Sequence, residues 1–388
     1  MNKIRKALLG ACCAIVPYVS HAQVYTLTGD GGCFTLIGDS IPLRIPECGN
    51  LIVDLFGNKK KTGIDYLASR IELHGYAQGG YEYNDQEYNS DKANSFNMKR
   101  VLFWAKAKVT DRWSFLFMHD FKSVVQEFYT DYRVSRDNSL SFRLGQFKNS
   151  YSMENPMSPA KTELVESYSQ GVIYLAGCGS DPLYGVQYGR DLGLMAYGDL
   201  FNSHFHYEVA LMNGQGININ DKNNNKDVIL KAEYRPSKDF RVVATGQKGT
   251  GHAVKSSVYC PDINVDEDYT RDRFSFGAEY NANSFSMRAE YLAGKDGDTG
   301  SRGWYATFCK PLTDKLDVIG SYDYFNYNTT LGYDQTNATL GLQYWFYPKC
   351  RFQAQYTRCF VDDAMPATVA IGGGKDFNRV QCQVQVCF

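Results

Sequence analysis

Beyond its first two dozen residues the 388-residue chain has no run of about 18 apolar side chains, the length a helix needs to cross a bilayer. A helical membrane protein is thereby excluded. A membrane β-barrel is not, because each of its strands sends half its side chains to water. A large charge of one sign is also missing, since 41 Lys and Arg stand against 42 Asp and Glu. That balance argues against nucleic acid as a partner. The 11 cysteines form no CxxC and no Cys/His cluster, so neither a zinc site nor a disulfide scaffold is expected, and no cofactor is implied. Histidine is scarce, with six copies and none in a recognisable catalytic motif.

The N-terminus carries Lys3, Arg5 and Lys6, then a mostly apolar stretch from Ala7 to Val19, then Ser20-His21-Ala22. This is the pattern of a secretory signal peptide over residues 1-22. The alternative, a lipoprotein signal at Leu9-Gly10-Ala11-Cys12, leaves an apolar region of about five residues, short of the usual minimum of about 7. Without the signal, nine cysteines remain and the basic count falls by Lys3, Arg5 and Lys6 to 38, giving a net charge of −4. Cys33 and Cys48 are the first pair to test for a bridge. Residues 23-69 are interrupted by Gly31-Gly32, Pro42, Pro46 and Lys59-Lys60-Lys61, which reads as an N-terminal periplasmic extension.

The last twelve residues, FNRVQCQVQVCF, set the pattern for the rest. Val380, Cys382, Val384, Val386 and Phe388 share one parity; Arg379, Gln381, Gln383 and Gln385 share the other. Successive side chains of a strand point to opposite faces, so this segment has an apolar wall and an amide-rich wall. Sixteen such runs are expected near 70-81, 97-109, 112-122, 125-136, 139-148, 190-200, 203-213, 227-236, 238-248, 272-282, 283-294, 302-311, 315-326, 336-347, 350-360 and 377-388. Tight turns such as Thr110-Asp111, Asp137-Asn138 and Pro348-Lys349 alternate with longer links at 82-96, 149-189, 214-226, 249-271, 295-301, 327-335 and 361-376, with 123-124 the short exception. Short periplasmic turns and long extracellular loops mark a bacterial outer-membrane barrel. The expected fold is all-β, a 16-stranded antiparallel transmembrane barrel over 70-388 in the outer membrane of a Gram-negative envelope, in contact with outer-membrane lipid.

Parity sorts the charges inward, as it must if each charge on the lipid face costs roughly 2–4 kcal/mol near the midplane. Phe274, Phe276, Ala278 and Tyr280 face out, opposite Arg273, Ser275, Gly277 and Glu279. Run 139-148 breaks the rule, because Gln146 and Lys148 share parity with Phe142 and Leu144; a bulge would repair it. The inward basic residues are Arg70, Arg100, Lys106, Lys108, Arg133, Lys231, Arg235, Arg241, Arg273, Arg288 and Arg379. The inward acids are Glu72, Asp120, Glu127, Asp131, Glu208, Glu233, Glu279, Glu290, Asp317 and Asp323. Near balance implies pairing across neighbouring strands, as between Arg288 and Glu279. Sixteen strands enclose an aqueous channel, so passive diffusion of small hydrophilic solutes is the default expectation. The link 149-189, about 40 residues and far beyond ordinary loop length, is expected to fold into the lumen and narrow it.

Gly145-Gln146-Phe147-Lys148, the acidic stretch Glu163 to Glu166, Gly189-Arg190-Asp191-Leu192-Gly193, Met212-Asn213-Gly214-Gln215-Gly216 and Ala232-Glu233-Tyr234-Arg235-Pro236 follow one another in an order that resembles the phosphate-selective porin O and P family. The resemblance spans about Arg70 to Phe388. It implies a trimeric sixteen-stranded porin whose lysines and arginines conduct phosphate-type anions. Lys148 and Arg190 are carried over as positions of the barrel motif. With parity, this gives the pore-lining set Arg100, Lys106, Lys108, Arg133, Lys148, Arg190, Lys231, Arg273, Arg288 and Arg379.

Other readings carry less. Asp221, Asn223, Asn225 and Asp227 alternate as in a calcium loop but lack the Gly and the distal Glu. His204 and His206 share a face with Glu208. An outer-membrane enzyme of phospholipase or protease type would need a nucleophile, base and orienting group to converge, and no enzymatic activity is expected. A surface adhesive or structural barrel is the remaining alternative.

Overall fold

A computed structural model describes residues 69–85, 94–181, 183, 185–365 and 375–388. By its contacts the chain divides into Met1–Arg70 and Ile71–Phe388. The expected signal peptide, all of the expected extension except Ser69, and the Cys33–Cys48 pair lie outside the described residues.

The second unit is a closed antiparallel barrel of sixteen strands. They are β1 (Ile71–Asn84), β2 (Asn94–Lys108), β3 (Trp113–Asp120), β4 (Val125–Arg133), β5 (Ser141–Lys148), β6 (Arg190–Leu200), β7 (Phe205–Met212) and β8 (Asp227–Ser237), then β9 (Phe240–His252), β10 (Asp268–Ala282), β11 (Phe285–Asp296), β12 (Thr299–Pro311), β13 (Leu316–Asn328), β14 (Tyr333–Tyr347), β15 (Cys350–Val361) and β16 (Phe377–Cys387). Each pairs with its neighbours in sequence, and β1 closes the ring on β16. All sixteen expected runs are strands. Among the described residues no helix is long and apolar enough to cross a membrane.

The alternation that predicted the strands is the one that sorts their faces. On β16, Val380, Val384 and Val386 are exposed on the outside while Gln381, Gln383 and Gln385 are buried inside. On β10, Phe274 and Phe276 are exposed, and Arg273 and Ser275 are buried. The exposed charges Lys248, Asp272, Lys295 and Arg302 lie at the loop ends of their strands and Lys310 at a turn end, so they flank an outward band of large apolar side chains.

Run 139-148 does contain an irregularity. Gly145 has φ +134°, and a Cβ there would lie 2.3 Å from the Phe128 carbonyl oxygen. On the adjoining strand Met118 pairs with Glu127 but His119 with Val125, leaving Gln126 as an extra residue. The Gln146 amide donates to the carbonyls of Val125 and Gln126, each at 3.1 Å. The bulge on β4 thus accommodates a glutamine that strict parity assigns to lipid.

Two links contract to turns of a few residues. The link 295-301 contracts to Gly297 and Asp298 between β11 and β12, and 327-335 to residues 329–332, because both pairs of strands extend past the apolar band. The long-loop rule therefore fails at β11–β12.

The seam closes on an aromatic. Phe388 N donates to the Gly75 carbonyl at 3.1 Å, and a Cβ on Gly75 would stand 2.3 Å from the Phe388 ring. The ring occupies the space a side chain would need. Gly75→Val is expected to cost about 1–3 kcal/mol through overpacking, read as a lower urea midpoint of the refolded barrel; an unchanged midpoint would show that the ring does not brace the seam.

Candidate functional site

After Lys148 the chain turns into the lumen, as expected, and residues 149–189 cross it. Two features hold this segment. The first is an apolar seat. Tyr151, Val172 and Leu175 of the segment pack with Met195, Met212, Ile229, Leu292, Tyr305 and Phe325 of the wall in one buried cluster. Each large apolar side chain so buried contributes about 1.5–3 kcal/mol. A short helix, α1 (Gln170–Leu175), lies on this seat, and Gln170 N donates to Asp323 Oδ2 at 2.8 Å.

The second feature is polar. Inward positions of the wall present amides to the segment's backbone. Gln353 and Gln355 both donate to the Glu163 carbonyl at 2.8 Å, and Gln355 Oε1 accepts from Val165 N at 2.8 Å. Gln385 donates to the Ala160 carbonyl at 3.1 Å and Gln78 to that of Pro159 at 3.2 Å. Arg351 donates to the Thr162 carbonyl at 2.8 Å. Ser152 Oγ and Met153 N both donate to Glu290. Such groups are costly to bury unpaired, so the wall and the segment complete each other.

Nine of the ten expected pore-lining cations are engaged. Arg288 bridges Glu154 at 3.0 Å, Glu163 at 2.8 Å and Glu279 at 3.5 Å. Burial raises the Glu154 carboxyl above its ordinary range even with Arg288 beside it, which is the desolvation cost of seating an ion there. Arg379 faces Glu166 at 3.8 Å, and Arg100 donates to Gln78 and Ser167. Arg273 contacts the Leu175 carbonyl and Asp296. Lys148 donates to the carbonyls of Asn155 and Met157 and to the Tyr168 hydroxyl, at 2.8, 2.6 and 2.9 Å. Arg190 pairs with Glu127 at 2.8 Å, Lys231 with Glu208 at 3.0 Å and Lys108 with Glu72 at 2.8 Å. Arg133 donates to Asn138 and the Asp111 carbonyl. Lys106 lines the turn-side mouth. The set is brought to the lumen but does not make one continuous track.

With the segment seated, open space remains at several places in the barrel, two of them against the earlier strands. A cavity of about 470 Å³ lies between the β1–β7 wall and Pro156 to Pro159 of the segment. A second, of about 350 Å³, opens at the turn-side mouth around Lys106, Lys108, Arg112 and Arg133. Tyr197 and His206 line both. Sequence reasoning missed the apolar part of this lining, Leu102, Trp104, Leu116 and Met118; the signal was that Val101 to Ala105 is apolar at every position.

The weaker candidates do not form sites. Asp221 pairs with Lys226 and receives the Asn223 and Asn224 amides, while Asp227 receives the Gln247 amide at 2.5 Å and pairs with Arg271. No group of three metal-binding side chains occurs among the described residues. His204 contacts the Arg235 carbonyl, and His206 sits between Asp199 at 2.9 Å and Glu208 at 3.1 Å.

No protein-family model matches the sequence, and no curated protein matches it. Solved structures do. OmpT, an outer membrane protein of Vibrio cholerae in its trimer form, superposes with TM-score 0.59 at 13% identity, over 82% of this chain and 99% of that one. An anion-selective porin from Comamonas acidovorans gives 0.58 at 12%, over 82% and 99%. The outer membrane channel DcaP of Acinetobacter baumannii gives 0.54 at 12%, over 82% and 97%. At such identities the likeness is one of fold: this chain is a sixteen-stranded barrel of the bacterial outer membrane with the architecture of porins.

Removing Arg288 would strand Glu154 in the seat, a loss of roughly 3–5 kcal/mol for a broken buried pair. Arg288→Met is expected to render residues 149–189 cleavable by added protease while the barrel stays resistant. Continued protection would mean that the apolar seat suffices.

Proposed function

We propose that the protein is a porin, a water-filled channel for passive diffusion of small hydrophilic solutes with a preference for anions. The observation that carries this reading is the closed sixteen-stranded barrel whose inserted segment narrows the lumen but leaves neighbouring cavities along β1–β7. Selectivity in such a pore follows the fixed charge of its lining. Lys106 at the turn-side mouth has no ion-pair or hydrogen-bond partner among the described residues, and Lys108, Arg112 and Arg133 stand around it. From the resemblance to phosphate-selective porins we carry forward the anion preference. A phosphate ladder would need a succession of free cations, and the engagement of nine of the ten weighs against it.

A homotrimer is part of the proposal, supported by the trimer form of the Vibrio cholerae protein. The outward apolar band, with exposed Phe274, Phe276, Leu340 and Leu342, supports contact with outer-membrane lipid. No enzymatic reaction is part of the proposal; His74 stacks on Trp104 and His119 meets Phe121 edge-on.

The purified protein in planar bilayers is expected to give stable channels whose conductance steps come in multiples of three, with anions favoured under a KCl gradient. No conductance above the lipid blank would remove the porin reading; cation preference would remove its anion component. Lys106→Glu is expected to move the reversal potential toward cations without lowering the amount of folded barrel.

A further inference from the structure

The lumen of a diffusion barrel is ordinarily polar, yet the part of β1–β3 that faces the larger cavity is not. Leu102 lies opposite Tyr76, and Trp104 opposite Met118, with Leu116 on the next inward position. Leu102 and Leu116 are 7% and 8% exposed. The Trp104 ring stacks on His74 with centroids 5.4 Å apart and meets Tyr76 edge-on at 6.1 Å, which fixes its plane against the wall. None of these apolar residues belongs to the cluster that seats the inserted segment. They form a separate shelf whose free side is the cavity.

Most charges around the shelf face a carboxylate, and His206 lies between Asp199 and Glu208. Arg190 is matched by Glu127, Arg143 by Asp131 at 2.8 Å, and Glu208 by Lys231. Lys148, on the same cavity, reaches two carbonyls and a phenol but no carboxylate. The cavity therefore joins a fixed apolar shelf to an ammonium that faces two carbonyls and a phenol rather than a carboxylate. Its volume of about 470 Å³ falls among sites for small organic ligands, roughly 300–1,000 Å³, which are mostly apolar with a few placed polar groups.

We propose that this cavity is a selectivity site for small aromatic monoanions of the arylcarboxylate class, the ring lying on the Leu102–Trp104 shelf and the carboxylate directed toward Lys148. The inference rests on the channel reading and adds the chemical class that the channel favours. Burying one aromatic ring on such a shelf is worth roughly ten- to a hundredfold in affinity, enough to set an arylcarboxylate apart from an inorganic or short-chain anion of equal charge.

The test is block of the single-channel chloride current by benzoate, acetate, benzamide and inorganic phosphate in turn. Benzoate is expected to half-block at a concentration about tenfold or more below each of the others. Trp104→Ala, and separately Leu102→Asn, are expected to raise the benzoate value toward that of acetate in channels that still conduct. Two variants are used so that a folding defect in one leaves the other informative. Equal block by benzoate and acetate would overturn the shelf, and equal block by benzoate and benzamide would overturn the role of Lys148. A chain that conducts nothing would instead defeat the channel reading itself, a separate result.

Discussion

Hydrocarbon offers no partner for a backbone N–H or carbonyl, so every strand that enters it must be paired on both edges. That requirement fixes the closure of β1 on β16, where Tyr76 to Asn84 pairs with Arg379 to Cys387. Once the ring is closed, the pleat does the rest. One parity meets lipid and the other meets the lumen, and a charge on the wrong face costs kilocalories. The alternating amides and valines of β16 and the inward arginines of β10 and β11 are consequences of that single geometric fact.

Inside the ring the same logic runs in reverse. The lumen is wide enough for water, and residues 149–189 turn part of it into protein interior. They do so by an apolar seat on the wall from β6 to β13 and by amides and guanidiniums that receive the segment's backbone. The inward cations thereby become structural. Arg288, buried among three carboxylates, holds the segment and leaves little field for a permeating ion. Part of what stays open lies along β1–β7, where the wall is part apolar and part charged.

The barrel was highly legible because a period of two, repeated sixteen times, is a signal that the lipid itself enforces. Errors arose where that enforcement lapses. Beyond the apolar band, β11 and β12 keep pairing up to a two-residue turn at Gly297 and Asp298, and nothing in their composition distinguishes strand from loop there. At Gln146 strict parity points to lipid, and the bulge that repairs it sits on the neighbouring strand. The candidate site was half legible. Parity brings Lys231 to the lumen, and Lys148 and Arg190 came only with the family resemblance; Tyr168, Glu127 and Glu208, which they meet 20 residues or more away along the chain, cannot be read from spacing. The shelf was hidden because Val101 to Ala105 is apolar at every position, so alternation there separates no face.

The central claim is that residues 149–189 sit in the lumen and set the size of what passes. Polymer exclusion tests it most directly: the largest polyethylene glycol that still lowers channel conductance is measured for the full chain and for a variant in which residues 150–187 are replaced by a short glycine-serine link. The account predicts a clearly larger cut-off in the shortened protein. The same cut-off in both would place the narrowing elsewhere and contradict it.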